Sequence, residues 1–296
     1  MKVDFHCHTT ASDGGLTPLQ IIDLAVKYEV TTMAITDHDT TSGYESALEY
    51  SVQQGVELIT GVEASCSWNG HTIHIVGLDF DVDNAVLQSG LESIRAMRRD
   101  RAQAMLEKLE NKSKLNIEDL QSKIESLVGD GVIGRGHFAQ LLQQEGLVKN
   151  AQQAFDRYLK KGRVGFVASQ WPELTDVVDW ITQAGGVAVI AHPAIYKFTS
   201  SKLNRLIDDF KAAGGQAIEV VNQPRQSADI TGMAQRALRH ELYASMGSDF
   251  HRLEHTWRGL GWLAPMPKNL KPVWELFKKP IKEVVKTSDK DPVHLP

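Results

Sequence analysis

Two histidines and an aspartate near the start of the chain have the residue types and spacing of metal ligands. His6 and His8 are two positions apart in a short run that begins at Val3, so on an extended backbone both rings leave the same face. Asp13 follows in a Ser-Asp-Gly-Gly turn that can fold its carboxylate back toward them. This set suits a metal ion, and two surface histidines beside a polar turn are an equally frequent arrangement. The metal hypothesis therefore depends on partners elsewhere in the chain.

The segments after this turn alternate between strand-like and helix-like patterns. Apolar runs over 31–36 and 56–62 have the length of strands, and a helical pattern over 42–54 lies between them. Strands that alternate with helices predict parallel β/α units. His38 follows the first run and Glu63 follows the second. These are the strand ends at which β/α barrels and open α/β sheets place their sites.

The stretch 71–78 breaks this alternation, because it predicts another strand directly after a Trp-Asn-Gly turn. His71 and His74 are an odd number of positions apart in it, so their side chains face opposite sides. His74 lies inside the apolar run and is the predicted site residue. His71, beside the turn, is predicted to face solvent.

The alternation returns in the last third of the chain. A strand predicted over 187–191 leads to His192, and a strand predicted over 243–247 leads to Asp249 and His251. Asp249 and His251 repeat the two-apart spacing of the first two histidines. We therefore expect these three side chains at the same edge of the sheet as the earlier candidates.

The region between these two parts predicts a separate unit. From residue 98 to residue 165 the β/α alternation is lost and the pattern is mostly helical, which predicts a helical insertion at 98–165 in a barrel made of 1–97 and 166–296. Its most unusual patch has Arg135 and His137 at the expected start of a helix. Backbone N–H groups, an arginine and a histidine suit a phosphate. A loop with incidental charges fits this patch equally well.

Nine imidazoles and carboxylates thus collect at or near the ends of the predicted strands. They are His6, His8, Asp13, His38, Glu63, His74, His192, Asp249 and His251. One histidine on an apolar strand is usually a core residue with a partner, but burying this many such groups without partners is costly. Histidines mixed with Asp and Glu favour Zn, Mn or Fe over Ca, and so many ligands imply more than one ion.

Composition limits the class of protein. The 296 residues are 42% hydrophobic and 23% charged, as in ordinary globular proteins, and no apolar run is long enough to cross a membrane. Two cysteines, Cys7 and Cys66, and no signal-peptide pattern predict a cytoplasmic protein without a disulfide framework. A net charge of −5 argues against a surface that coats nucleic acid, but not against binding of a nucleotide or an RNA end.

Several short motifs carry these ligands. They are His6-Cys7-His8, Ser12-Asp13-Gly14, Ile35-Thr36-Asp37-His38-Asp39, Gly61-Val62-Glu63, His74-Ile75-Val76-Gly77, Ala191-His192-Pro193 and Gly247-Ser248-Asp249-Phe250-His251. In this pattern the chain resembles the PHP (polymerase and histidinol phosphatase) metallophosphoesterases over nearly its whole length. The resemblance implies an α/β fold, a distorted (β/α)7 PHP barrel with an inserted small helical subdomain that caps the active site. The insertion resembles that of the branch that acts on nucleoside 3′,5′-bisphosphates and on the 5′ ends of ribosomal RNA.

The resemblance also implies a trinuclear site, usually with Mn²⁺ and sometimes with Fe or Zn. His6, His8, Glu63 and Asp249 would hold the first ion, Glu63, His74 and His192 the second, and Asp13, His38 and His251 the third. Arg135 and His137 would bind the substrate, a nucleotide bisphosphate or an RNA 5′ end. No membrane and no obligate protein partner are implied.

Three alternatives remain open at this point. A histidinol-phosphate phosphatase or another small phosphomonoesterase would use the same metals, although a small phosphate ester needs less of a cap than the insertion provides. A metal-dependent amidohydrolase on a similar barrel often has a carbamylated lysine as bridging ligand, and here Glu63 lies at a strand end where no lysine does. A catalytically silent PHP module would not require a complete ligand set.

Overall fold

The computed structural model describes residues 2–112, 115, 117–254 and 258–281, with only the backbone at residue 112. The polar tail from Thr287 to Pro296, which the sequence predicts to fray, lies outside the described residues. Within the described part of the chain, no helix combines the length and the hydropathy that a membrane span requires.

Two sheets hold the strands. A parallel sheet has the order β1-β2-β3, with β1 at Val3–Asp4, β2 at Thr32–Ala34 and β3 at Glu57–Ile59. The second sheet has the order β4-β5-β6-β7-β8, with β4 at Gly61–Trp68, β5 at His71–Leu78, β6 at Val187–Ile190, β7 at Ala217–Val221 and β8 at Tyr243–Met246.

Backbone bridges join the two sheets into a ring. Cys7, after β1, pairs in parallel with Phe250, after β8, and His38, after β2, pairs in parallel with Glu63 in β4. Because β3 and β4 follow each other with one residue between them, they form one bent strand against β2. Counting that strand once gives seven strands, the number that the predicted distorted (β/α)7 barrel requires.

One strand interrupts the parallel order, at the stretch where the sequence predicts a break in the β/α alternation. β5 is antiparallel to both β4 and β6, whereas β6, β7 and β8 are parallel. Asn69 and Gly70 have φ values of 45° and 73°, and this tight turn leaves no room for a crossover helix. As a consequence, Glu63 does not end a strand as predicted. It lies inside the β4–β5 hairpin.

Helices cover the outside of the ring and build the insertion. The α-helices of the described chain are α1 (Pro18–Lys27), α2 (Ser42–Gln54), α3 (Ala85–Lys112), α4 (Leu120–Val128), α5 (Arg135–Gln144), α6 (Ala151–Ala154), α7 (Leu174–Gln183), α8 (Ser200–Ala212) and α9 (Ala228–Arg239). A π-helical turn at Phe155–Leu159 continues α6, and 3-10 turns lie at Pro193–Tyr196 and Val273–Leu276.

The long helix α3 belongs to both parts of the molecule. It passes residue 98 without a break, but its apolar side chains divide between two clusters. Leu87 and Ile94 pack in the core between the second sheet and its helices, whereas Met105 and Leu109 pack with Phe138 in the core of the insertion. The division at 98–165 stays a prediction, and the separate core of the insertion supports it.

Candidate active site

Glu63 is the carboxylate around which the other candidate ligands gather. Its side chain is only 1% exposed. Its Oε1 lies 2.9 Å from Nδ1 of His74 and 2.7 Å from Nε2 of His192. Glu63 comes from β4, His74 from the antiparallel β5 and His192 from the end of β6, so three neighbouring strands meet at one oxygen.

The second oxygen of Glu63 faces three further histidines. Oε2 lies 3.0 Å from Nδ1 of His38, 3.2 Å from Nε2 of His8 and 3.4 Å from Nε2 of His6. His6 and His8 do leave the same face, as their spacing predicts, with their Nε2 atoms 3.2 Å apart. Because its two oxygens face different sets of imidazoles, Glu63 is placed to bridge two ions.

Two aspartates complete the cluster. Asp249 Oδ1 lies 3.5 Å from Nε2 of His6 and 3.4 Å from Nε2 of His8. Asp13 Oδ1 lies 3.3 Å from Nε2 of His251 and 4.0 Å from Nε2 of His38. The turn that carries Asp13 does fold back over the barrel mouth, as its Ser-Asp-Gly-Gly sequence predicts.

All nine predicted ligands thus come together. In the described chain they form four groups whose donor atoms lie within 4.8 Å of one another: His8, Asp13, His38 and His251; His6, Glu63 and His192; His6, His8 and Asp249; and His38, Glu63 and His74. His8 and His38 each belong to two groups. The division of ligands among three ions therefore stays a prediction.

The buried charges of this cluster fit metal ions. Burial alone would raise the pKa of Glu63, but His38, His74 and His6 hold it well below its usual value. His251 and His38 do the same for Asp13 against its burial. The carboxylates are therefore ionised at neutral pH.

Several imidazoles respond to that negative charge. Burial alone would lower the pKa of His8, but hydrogen bonds and charges from Asp249 and Glu63 raise it to about 10. The pKa of His6 is raised well above its usual value, against its burial, mainly by the charge of Glu219. In the absence of metal cations, protonated imidazoles thus balance the negative charge of the carboxylates.

Unpaired atoms give an independent test of the same fit. Among the described residues, buried Oδ1 of Asp13, Nδ1 of His38, Oε2 of Glu63 and Nδ1 of His192 form no contact with hydrogen-bond geometry, although two of these atoms, in His38 and Glu63, lie 3.0 Å apart. A buried polar atom without a partner is costly in a folded protein. Imidazole and carboxylate donors suit Mn, Fe and Zn, so the residues present fit a cluster of such ions.

Glu219 is a site residue that the sequence analysis missed. It lies in β7, is buried, and its Oε1 lies 2.6 Å from Nδ1 of His6. Its Oε2 accepts a hydrogen bond of 2.5 Å from the backbone N–H of His192. A glutamate in the middle of the apolar run Ala-Ile-Glu-Val-Val was the available signal, because a buried carboxylate needs partners.

Cys7 faces away from the ligands and packs in an apolar cluster, because its side chain alternates with those of His6 and His8. Its Sγ donates to the carbonyl oxygen of Ala34 at 3.4 Å, and burial raises the pKa of its thiol well above the usual value. A thiol that stays protonated and does not face the site is a poor nucleophile. Cys66, the other cysteine, is also free and buried.

The start of α5 lies against the site. Gly136, in its first turn, is so close to Asp13 that an added Cβ would lie 3.2 Å from Oδ2 of the carboxylate. His137 is only 4% exposed, and its Nδ1 accepts a hydrogen bond of 3.1 Å from the N–H of Gly134. One ring nitrogen of His137 therefore caps the helix, and its predicted contact with substrate stays a prediction.

Arg135 belongs to a small basic cavity beside the site. Arg98, Arg101 and Arg135 line it, and Arg135 stacks over the ring of Phe155 at 5.6 Å. Burial and the neighbouring guanidinium groups lower the pKa of Arg101 to about 9. Arg98 is bound to Asp39 at 2.5 Å, but no carboxylate of the described chain pairs with Arg101 or Arg135. The cavity itself measures only about 10 Å³, room for about one water, so an anion would contact the guanidinium groups from outside and would not be enclosed.

The comparisons with known proteins agree with this geometry. A family model of the PHP domain matches residues 4–167. This chain belongs to the PHP family. The match begins at β1 and runs through the helical insertion, so the resemblance seen in the sequence motifs is confirmed.

Relatives within the PHP family are similar over nearly their whole length. A 3′,5′-nucleoside bisphosphate phosphatase from Chromobacterium violaceum is 41% identical over 92% of this chain and 95% of its own. The 5′-3′ exoribonuclease Rnm of Escherichia coli is 38% identical over 94% of each chain. A solved structure described as an amidohydrolase from Chromobacterium violaceum, with bound sulfate and no metal, superposes with a TM-score of 0.87 at 41% identity, over 93% of this chain and 96% of that one.

Proposed function

We propose that this PHP protein is a metal-dependent phosphoesterase that acts on nucleoside 3′,5′-bisphosphates, on the 5′ end of RNA as an exoribonuclease, or on both. The single observation that carries the proposal is the cluster of nine imidazoles and carboxylates, with Glu63 at its centre, beside arginines that lack a carboxylate partner among the described residues. The ligand set accounts for phosphoester chemistry. The arginines account for a substrate with a second phosphate, and the named activities of the relatives support the same substrate class.

The chain would hold three ions, with Mn²⁺ as the first choice and Fe or Zn as alternatives. The allocation is His6, His8, Glu63 and Asp249 for one ion, Glu63, His74 and His192 for a second, and Asp13, His38 and His251 for a third. When bound, such ions stabilise phosphoryl oxygens as Lewis acids and lower the pKa of water toward neutrality. The residues around them supply orientation and charge.

Specific contacts fix the ligands before a substrate arrives. Glu219 accepts from Nδ1 of His6, which leaves Nε2 of His6 directed at Glu63 and Asp249. Arg258 is hydrogen-bonded to Oδ2 of Asp249, so Oδ1 is the oxygen that faces the histidines. Preorganised ligands of this kind reduce the reorganisation that the reaction would otherwise require.

The insertion would supply the second anchor of the substrate. Arg101 and Arg135 lack carboxylate partners, and the helix that begins at Arg135 lies against the ligand Asp13. One phosphate at the ligand cluster and a second at these guanidinium groups would orient a bisphosphate. On RNA, a backbone or terminal phosphate would contact the same guanidinium groups and direct the 5′ end toward the metals.

The alternatives fit the site less well. Histidinol phosphate has one phosphate and would leave the arginine cavity unused. In the proposed site Glu63 would take the bridging role that a carbamylated lysine often has in amidohydrolases, since it belongs to two of the described ligand groups. A silent module would not need the intact ligand set that the barrel presents.

A panel of substrates tests the proposal. Manganese-loaded protein should hydrolyse adenosine 3′,5′-bisphosphate or 5′-phosphorylated RNA with a kcat/KM well above that on histidinol phosphate or p-nitrophenyl phosphate. The Glu63→Gln variant, prepared in parallel, shows how much turnover comes from contaminating enzymes. A kcat/KM on histidinol phosphate equal to or above the other two would overturn the substrate assignment. We also place the enzyme in the cytoplasm, which cell fractionation tests.

A further inference from the structure

A second, larger cavity lies near the ligand cluster, and no described residue of the insertion lines it. It has a volume of about 680 Å³ and lies beyond the ends of β6 and β7. Its lining consists of Ala194, Ile195, Asn222, Gln223, Pro224, Arg225, Asp229, Arg258 and Trp262. This volume falls in the range of pockets that enclose small organic ligands.

The cavity is adjacent to two of the proposed metal ligands. Arg258 lines it and is hydrogen-bonded to the carboxylate of Asp249. Ala194, on its other wall, follows His192 by two residues. A molecule with a phosphate at the ligand cluster can therefore extend its remaining part into this space.

Trp262 gives the cavity an aromatic wall. The indole lies so close to the backbone of Gly259 that an added Cβ there would be 2.5 Å from the ring. Even so, the side chain is 44% exposed. An indole supported by backbone and lining a cavity is a surface on which a planar aromatic ring can stack.

Two polar side chains of the cavity are free to bind a ligand. Within the described residues, the amide of Asn222 and the guanidinium of Arg225 form no hydrogen bond or ion pair, whereas Gln223 in the same wall donates to Ser227 at 2.5 Å. An amide offers both a donor and an acceptor, the combination that the edge of a nucleobase presents. The lining thus combines a stacking surface with groups that can read a base edge.

We propose that this cavity binds the nucleoside part of the substrate, with the base stacked on Trp262 and its edge at Asn222. The inference rests on the proposed function and extends it by assigning the base-binding site. The ester phosphate then lies at the ligand cluster, and the second phosphate lies at the guanidinium groups of Arg101 and Arg135. The base cavity borders the opposite members of the cluster, His192 and Asp249.

A matched pair of substrates tests the assignment. Adenosine 3′,5′-bisphosphate is compared with an abasic analogue that has the same sugar ring and both phosphates. Wild-type protein should prefer the nucleotide in kcat/KM by about 5- to 150-fold, the range for one base–aromatic stack. Trp262→Ala should remove most of that preference, and Trp262→Phe should keep most of it. Equal rates on both substrates in wild-type protein, or an unchanged preference in Trp262→Ala, would overturn the proposal.

A second variant tests the same site with less risk of misfolding. Asn222→Ala removes a half-buried amide that has no hydrogen-bond partner among the described residues, so the variant should fold normally. It should reduce the preference for the nucleotide by about 3- to 10-fold, as expected for one hydrogen bond. Gln53→Ala, an exposed amide in α2, is the matched control. If Asn222→Ala also leaves the preference unchanged, the cavity is not the base site.

Binding separates failure of this inference from failure of the proposed function. Isothermal titration of the metal-loaded protein compares adenosine 5′-monophosphate with ribose 5-phosphate, and neither needs to react. Tighter binding of the nucleotide that is lost in Trp262→Ala supports the base site even if no bisphosphate is hydrolysed. Equal binding of both compounds would overturn the base site even if the enzyme proves to be a phosphoesterase.

Discussion

The carboxylate of Glu219 lies 2.6 Å from Nδ1 of His6, and both side chains are buried. The contact fixes which nitrogen of His6 faces the ligand cluster, because Nδ1 is engaged by the glutamate. Carboxylate–histidine pairs of this kind orient metal ligands and raise their basicity. Glu219 also accepts from the backbone N–H of His192, so one carboxylate positions two of the proposed ligands.

Replacing Glu219 should therefore weaken metal binding. We expect Glu219→Gln to lower the affinity for Mn²⁺ by about 10- to 100-fold, because loss of such a supporting contact has effects of this size. Competition with a fluorescent chelator measures the affinity. Glu241→Gln, a change at an exposed glutamate, is the control and should leave the affinity unaltered. Equal affinities for wild type and Glu219→Gln would show that His6 is oriented by other contacts.

The two histidines of β5 form a matched pair. His74 points to Glu63, whereas His71 is exposed and contacts Lys202. His74→Ala should lose most hydrolytic activity and part of the bound metal, because it removes a proposed ligand. His71→Ala should keep both. Circular dichroism checks that each variant is folded, and equal activity of the two variants would remove His74 from the site.

Arg135 should affect the preference for substrates with a second phosphate more than it affects the rate of phosphoester hydrolysis itself. Arg135→Ala should weaken kcat/KM on a bisphosphate or RNA by roughly 1.5–3 kcal/mol, the range for a hydrogen bond to a charged group. It should barely change the slow hydrolysis of an aryl phosphate, which has no second phosphate. Arg99→Ala, an exposed arginine of α3, controls for the loss of charge. Equal losses on both substrates would assign Arg135 to the fold or to the metal centre.

The raised pKa values predict how pH affects the metal-free protein. The folded pKa of His8 is about 10, above the unfolded value of about 6.5. Protonated His8 therefore stabilises the fold fully below pH 6.5, and this contribution decreases as the pH rises toward 10. The pKa values of His6 and His192 are raised in the same direction. His38 has a lowered pKa and is neutral in both states above pH 6.5, so it adds nothing there.

The melting temperature of metal-free protein should consequently fall between pH 6.5 and pH 8.5. Each proton held only by the folded state contributes a slope of about 1.4 kcal/mol per pH unit. Manganese-loaded protein should show a smaller slope, because ions replace the protons on the imidazoles. Scanning calorimetry at several pH values measures both slopes. A melting temperature of the metal-free form that stays constant or rises over this interval would contradict the charge balance described for the site.

Much of the site could be predicted from spacing. In a strand, residues two positions apart share a face, and residues an odd number apart face opposite sides. This rule placed His6 and His8 on one face and separated His74 from His71. The β/α alternation predicted that polar residues after different strands would meet. These rules are local, and they hold wherever the strand itself forms.

The parts that could not be predicted depend on long-range pairing. The sequence predicts a turn and a further strand at β5, but the antiparallel pairing of β5 with β6 joins residues far apart in the sequence, which no local pattern specifies. The contact between Glu219 and His6 joins residues far apart in the sequence, and no local pattern specifies it. Arg135 lacks a carboxylate partner among the described residues, and this too depends on which side chains the fold brings near it.

Metal dependence of hydrolysis tests the central claim most directly. Mn²⁺ is added stepwise to metal-free protein, and the hydrolysis of adenosine 3′,5′-bisphosphate and of 5′-phosphorylated RNA is measured at each ratio of metal to chain. We predict that hydrolysis of at least one of these substrates keeps increasing beyond one equivalent and levels off near about three, because several ions share the ligands around Glu63. Full activity at a single equivalent, or no hydrolysis of either substrate at any ratio, would contradict a multinuclear phosphoesterase.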